Sequence, residues 1–253
     1  MRLDSYLVEI GMFETRTKAK QAIERGEIFL DDKAVTKCSY DVKLDYDLKI
    51  DRRYESSYVS VGGFKLEKAL KDFKFDVKGM TVADIGCSTG GFTDCLLKNG
   101  AKKVYSVDLR DDLLHESLKS NPKVDCIIKN AKYLSSEDFC EPLDLIVADL
   151  SFISLNSVIK VFSSLIEKGK HLIILIKPQF ETGKKVKFKN GIIKNKKIHL
   201  EVCRNVYDIS VANGLSPQSI TVAPIVEGKN TEFLILLEKG GKASGADKFF
   251  DKL

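Results

Sequence analysis

Lys177, Asp149, Lys65 and Glu232 are the residues of this 253-residue chain whose type and setting best suit chemistry. Lys177 closes the apolar run Leu172–Ile176 and is followed at once by Pro178, which stops the strand. Asp149 closes the run Leu145–Ala148. Lys65 opens a helical pattern whose next turns bury Leu66, Ala69, Leu70 and Phe73. Glu232 opens an apolar stretch ending at Leu237. In a doubly wound α/β sheet, ligands sit outside the carboxyl ends of the strands, and Asp84, Asp108, Asp149 and Lys177 all fall at or near such ends. Any one alone reads as an ordinary strand terminus; strands converging on one edge make a site.

Two lysines with two carboxylates suit the transfer of a methyl group to a hydroxyl. A ribose 2′-OH is a weak acid and a poor nucleophile, so a base must stand beside it. A lysine serves if burial and a neighbouring positive charge lower its pKa, with carboxylates holding both lysines in place. A sulfonium donor needs no metal, because the departing thioether carries away no negative charge. The chain has neither the Pro-Cys pair of pyrimidine carbon-5 methylation nor the Pro-Pro pair of base amino methylation.

The donor is suggested by Val82-Ala83-Asp84-Ile85-Gly86-Cys87-Ser88-Thr89-Gly90-Gly91-Phe92-Thr93, a buried strand, a glycine turn and the start of a helix. A dinucleotide site wants glycines at G-x-G-x-x-G, so that the backbone can approach a pyrophosphate. Here Gly86 is followed by glycine only at 90 and 91, a spacing that tolerates an adenosine without pyrophosphate, such as S-adenosylmethionine. Asp108 ends the next apolar run about 20 residues on, where a ribose-binding acid belongs. A side chain in place of Gly86 or Gly90 is expected to fill the ligand's space.

The elements that must hold these residues alternate. Strand candidates lie at 80–86, 103–107, 124–128, 143–148, 171–176, 219–223 and 232–237, and helical periodicity at 65–73, 92–98, 111–119, 154–166 and 196–213. That pattern predicts a mostly parallel sheet covered on both faces. The tail from Gly240 is expected to be loosely held. The net charge of +5 is mild, and no apolar run approaches the length of a bilayer span. Six cysteines without a C-x-x-C pair and three scattered histidines predict reduced, mostly buried thiols, no structural metal, and a cytoplasmic protein.

Residues 1–50 read as a separate module: a helix holding Leu3 and Leu7 and stopped by Gly11, a second carrying Ala19, Ala22 and Ile23 and ending at Gly26, then a hairpin around Asp31-Asp32. This order resembles the S4 RNA-binding domain. That resemblance implies RNA contact through Arg2, Arg16, Lys18, Lys20 and Lys33. Polar residues 51–57 form the expected linker, giving an α+β domain at 1–57 and a catalytic α/β domain at 58–253.

Taken together, the glycine-lysine motif ending Lys65-Leu66, the run 84–93, the segment 148–155 beginning Ala148-Asp149-Leu150-Ser151-Phe152, and Lys177-Pro178-Gln179-Phe180-Glu181 resemble the TlyA family. Those proteins join an S4 domain to an FtsJ-like, Rossmann-like class I methyltransferase with a mostly parallel seven-stranded sheet, and also carry an older haemolysin label. The resemblance implies ribose 2′-O-methylation of cytidine in ribosomal RNA, with Lys65, Asp149, Lys177 and Glu232 as the catalytic set. It places S-adenosylmethionine against Asp84, Gly86, Ser88, Thr89, Gly90, Gly91, Phe92, Asp108 and Asn130. One departure is Val61, where the family has arginine. The chain starts directly at the S4 helix, like shorter members that act on large-subunit (23S) RNA. A monomer acting on a ribosomal subunit, without metal or membrane, is expected. The basic run Lys184–Lys189 reads either as a solvated loop or as a phosphate contact. The competing functions are a non-catalytic ribosome-assembly factor, which four intact catalytic positions disfavour, and a pore-former, for which the chain lacks a spanning segment.

Overall fold

The computed structural model describes residues 1–13, 15–24, 28–30, 33–42, 48–50, 58–110, 112–182, 191–225 and 229–251. The expected linker 51–57, the acidic turn Asp31-Asp32, Gly26 and the basic run 184–189 lie outside the described residues, as do the side chains of Lys18 and Lys33.

Helices α1 (Leu3–Glu9) and α2 (Arg16–Glu24) pack on a small antiparallel sheet in the order β2-β1-β3, formed by Ile28–Leu30 (β1), Lys33–Ala34 (β2) and Leu48–Ile50 (β3). Leu3, Leu7, Ala19, Ala22, Ile23, Ile28 and Leu30 form a core of their own. Leu3, Leu7, Ala19, Ala22 and Ile23 are the apolar positions at helical spacing in α1 and α2, and Ile28 and Leu30 alternate along β1, so the periodicity dictates which faces meet.

The second sheet has seven strands: β4 (Thr81–Ile85), β5 (Lys103–Asp108), β6 (Val124–Ile128), β7 (Leu143–Ala148), β8 (Ile166–Ile176), β9 (Leu215–Val222) and β10 (Phe233–Lys239). Their order is β6-β5-β4-β7-β8-β10-β9. The five strands from β6 to β8 are parallel, and β10 runs antiparallel to both its neighbours. All five residues of β4 are buried, as a strand covered on both faces requires. One apolar layer joins the sheet to α6 (Ile159–Ser164) and α8 (Lys196–Ala212); the other joins it to α3 (Gly62–Phe73) and α4 (Gly91–Lys98). The chain moves one way from β4 to β6 and the other way from β7. The strand order therefore reverses between β4 and β7, where such sheets open a ligand crevice.

Several elements differ from the sequence expectation. The helix expected over 111–119 is only α5 (Glu116–Lys119), because the His115 ring accepts the Ser117 N–H and caps it late. The segment 154–166 breaks into a short 3-10 turn at Leu155–Ser157 and then α6, since Ser154 caps the first piece and Val158 leaves helical geometry. Strand β8 begins at Ile166, five residues early, in an exposed stretch bent at Gly169 (φ 82°). The tail is not loose. Helix α9 (Ala246–Phe250) buries Phe249 and Phe250 against Tyr207 of α8, and Arg204 stacks over Phe250. Two aromatic rings outweigh the glycine-rich approach to them. Of the six cysteines, Cys87, Cys95 and Cys203 are buried, while Cys126 and Cys140 are exposed.

Candidate active site

Strand topology brings the four chemical residues together. Asp149 follows β7, Lys177 follows β8, and Lys65 lies in the first turns of α3. Glu232 comes from the opposite chain direction. Because β10 is antiparallel, its first residue Phe233 pairs with the last residue of β8, Ile176, so Glu232 falls beside Lys177 at the same sheet edge.

Lys65 Nζ donates to Glu232 Oε2 at 2.6 Å and lies 3.9 Å from Asp149 Oδ2. Lys177 Nζ stands 2.5 Å from Asp149 Oδ1 and donates to Ser151 Oγ at 2.7 Å. Beyond this ion pair Oδ1 has no hydrogen-bond donor among the described residues. One carboxylate thus faces two ammonium groups. Lys177 is the better hidden, with its side chain 11% exposed against 23% for Lys65. Burial pushes the Lys65 pKa down, but Asp149 and Glu232 together outweigh it and hold Lys65 above its ordinary value. Lys65 therefore stays cationic.

Two cavities meet here. One, of ≈ 260 Å³, is bounded by Lys65, Asp84, Thr89, Phe92, Asp149 and Lys177. The other, of ≈ 640 Å³, runs past Ile85, Asp108, Leu109, Asn130 and Leu150. Gly86, Ser88, Asp149 and Ser151 line both, so the two form one channel from Asp108 to Lys177.

Asp108 Oδ2 accepts the Ser88 N–H at 2.9 Å and Oδ1 accepts the Leu109 N–H at 2.7 Å. These bonds aim the carboxylate while leaving lone pairs for a diol. Asp84 is fully buried. Its Oδ2 accepts from Thr93 Oγ1 at 2.7 Å, and with one hydrogen per hydroxyl Ser106 then donates to Thr93. Its Oδ1 has no partner among the described residues, and Asp84 is one of the residues around the smaller cavity. Burial raises the Asp84 pKa to about 7, partly offset by the Thr93 bond. An orphaned carboxylate oxygen at one end, an aimed carboxylate at the other and an apolar slot between them fit a ligand with an ammonium, an adenine and a ribose. S-adenosylmethionine has those groups. Asn130 also lines the slot, where its Oδ1 accepts the Lys132 N–H at 3.0 Å and fixes the turn.

The glycines act otherwise than the sequence suggests. A Cβ on Gly86 would lie 2.8 Å from the Asp149 carbonyl oxygen, and one on Gly90 would lie 2.7 Å from Leu114 Cδ1; both residues have positive φ. Even a Cβ there would collide with the protein itself. Gly91 likewise lets α4 approach α3, with Gly63 N only 2.8 Å from where its Cβ would stand.

Sequence reasoning passed over Ser151 and Glu181. Ser151 anchors Lys177, and its signal was a polar residue directly beyond a buried strand's end. Glu181 accepts from Ser154 Oγ at 2.7 Å and from the Leu155 N–H at 2.9 Å, tying the turn after Lys177 to the loop after Asp149. Between them Phe152 sits at φ 65°, its ring 90% exposed and 5.1 Å from that of Phe180. In the N-terminal module Arg2, Arg16 and Lys20 are all solvent-facing. Among the described residues no group of three or more His, Cys, Asp and Glu could hold a metal, and no helix is long and apolar enough to cross a membrane.

Comparison with known proteins matches residues 58–239 to the FtsJ-like methyltransferases and residues 1–48 to the S4 domain. A candidate rRNA methyltransferase of Bacillus subtilis, YqxC, is 39% identical over 95% of this chain and 86% of its own length. The 23S rRNA (cytidine-2′-O)-methyltransferase TlyA of Campylobacter jejuni is 35% identical over 79% of this chain and 84% of its own. Among solved structures, a candidate hemolysin from Streptococcus thermophilus superimposes with a TM-score of 0.75 at 35% identity, covering 97% of this chain and 90% of that one.

Proposed function

Because this chain belongs to the FtsJ-like methyltransferase family and carries an S4 domain, we propose that it moves a methyl group from S-adenosylmethionine to the 2′-hydroxyl of a cytidine in ribosomal RNA, with 23S RNA as the substrate. The observation that carries this reading is the Lys65–Asp149–Lys177–Glu232 network at the end of the channel. The named relatives support the substrate class, and the site supports the reaction type.

S-adenosylmethionine, when bound, supplies a methyl on a sulfonium centre. The chain's own residues do the rest. Asp108 would hold the ribose hydroxyls and Asp84 the ammonium, and Asn130 would border the adenine. Lys177 Nζ, set by Asp149 and Ser151, holds the incoming 2′-OH and stands where its proton must leave. Lys65 stays charged and is matched by Glu232. Glu232 fixes Lys65, which in turn keeps Asp149 from closing on Lys177 alone. The S4 module supplies RNA affinity without taking part in chemistry, and the enzyme acts in the cytoplasm, where ribosomes are.

Mapping ribose methylation across rRNA from cells with and without this protein tests the reading. A cytidine 2′-O-methyl in 23S RNA that disappears with the protein is the expected result. An unchanged map overturns it in favour of a non-catalytic ribosome-binding role.

A further inference from the structure

Asp4 is the one buried charged residue in the core of the N-terminal module among the described residues, its side chain 5% exposed. It sits in the first turn of α1. Its Oδ1 accepts from Arg2 Nε at 2.9 Å and its Oδ2 from Arg2 Nη2 at 3.0 Å, a two-pronged pair. The same Oδ2 accepts from Arg16 Nη2 at 2.9 Å, twelve residues on at the start of α2. The Ser5 N–H adds a further bond to Oδ1. Both arginine side chains, by contrast, are more than half exposed. Arg2 is also held through its backbone, by a bridge to Asp41, so neither end of its side chain wanders.

A buried carboxylate stabilised only to join two helices would find its partners buried with it. Here it lies beneath them. A guanidinium carries five N–H donors. Among the described residues Arg2 spends two on Asp4 and Arg16 spends one, which leaves most of their donors for the solvent side. Their Nη2 atoms share one oxygen, which sets the two planes next to each other. Holding two like charges side by side costs Coulomb energy, and the carboxylate beneath offsets it. Arginine forks match the oxygens of a phosphodiester in two-pronged fashion, which a lysine's point charge does not.

We propose that Asp4 is a positioning residue that locks Arg2 and Arg16 into one rigid seat for a phosphate of the RNA backbone. This rests on the reading of the module as RNA-binding. Asp4 never touches the RNA; it removes the rotamer freedom that two exposed arginines would otherwise lose on binding.

The proposal makes a counter-electrostatic expectation. Asp4→Asn deletes a negative charge from an RNA-binding face, so simple electrostatics expects tighter binding. Positioning expects the reverse. With purified large ribosomal subunits as the probe, Asp4→Asn should bind about tenfold more weakly in a filter assay across a salt series, the scale of one lost charge-assisted contact. Because that variant can also loosen the module, Arg2→Lys with Arg16→Lys serves as the second. It keeps both charges and every core residue, and should bind about as weakly as Asp4→Asn, with cofactor affinity unchanged in both. Equal or tighter binding by Asp4→Asn, or wild-type affinity of the double lysine variant, overturns the proposal. Arg2→Ala with Arg16→Ala is the control on the underlying reading. If that variant binds subunits like the wild type, the module's RNA-binding role is itself wrong; if it binds weakly while the other two bind normally, only the Asp4 seat is.

Discussion

The two ends of the molecule use the same ion pair in opposite senses. At the sheet edge the lysines are withdrawn and face inward, with Lys177 only 11% exposed and its carboxylate beside it. In the N-terminal module the carboxylate is withdrawn, at 5% side-chain exposure, and the cations face outward at 53% and 59%. A buried cation can have its proton affinity tuned and can meet one substrate atom in a dry pocket. An exposed guanidinium stays charged whatever its surroundings and is available to any phosphate in reach. The first arrangement suits chemistry and the second suits holding on. Which partner is buried, more than the presence of a salt bridge, distinguishes the two regions.

The sharpest way to break this contrast is at Lys177. Lys177→Ala should lower single-turnover methyl transfer by roughly 10²-fold or more, the scale of a positioned acid or base, with subunit and cofactor affinity near normal. Lys177→Arg should fail too, since guanidinium cannot give up a proton at neutral pH. Near-normal transfer by the alanine variant would move the chemistry to Lys65.

The next effect in size comes from unbalancing the pocket. Lys65→Met leaves Glu232 without its 2.6 Å partner and lets Asp149 pair with Lys177 alone. The turnover number should fall by about 10²-fold, as for a displaced reacting group, with the Michaelis constant for RNA little changed. A rise in that constant with the turnover number intact would make Lys65 a binding residue, like those of the N-terminal module.

Asp108→Asn should weaken S-adenosylmethionine by about tenfold in calorimetry, the worth of one charge-assisted hydrogen bond. Subunit affinity measured without cofactor should stay put. Unchanged calorimetry would place the ribose elsewhere in the channel.

Asp84 allows a test by pH. Its folded-state pKa of about 7 lies above the ordinary 3.8, so the folded chain holds this proton where the unfolded chain has lost it. The stability it contributes is complete below the ordinary value and is lost as pH rises through about 7. Urea unfolding of the cofactor-free protein should show that decline, and Asp84→Asn should flatten it. A stability that climbs through the same window in the wild type would mean Asp84 is ionised when folded.

The smallest effect belongs to the surface. Lys20 lies 3.8 Å from Glu24, both well exposed, and Lys20→Ala should change stability by no more than about 0.5 kcal/mol.

The sequence displayed the parallel strands because each is a short apolar run bounded by turns, a pattern set by the local chain. It displayed Asp149 and Lys177 because a charged residue directly after such a run is conspicuous. Glu232 was legible as a strand's first residue, but not the antiparallel direction of β10 that carries it to the site. Direction is decided by which edge a returning chain pairs with, and no local pattern encodes that. The reasons for Gly86 and Gly90 were also out of reach: the atoms they avoid, the Asp149 carbonyl and Leu114, come from distant turns. The tail helix was missed because two aromatic residues among glycines and lysines have no periodicity, only a tertiary partner in Tyr207.

The bond between Lys65 and Glu232 spans 167 residues of chain. Closing so long a loop is slow compared with forming neighbouring βα units, so the parallel strands β4 to β8, whose ends line the channel, can assemble before the β10 hairpin docks. A folding intermediate of this protein would then bind the donor while Lys65 still lacked its restraint. Donor binding would pull such an intermediate toward the native state by mass action, and the site would become competent only with the last strand. The reversed strand therefore ties Lys65, near the start of the catalytic domain, to the last strand of the sheet.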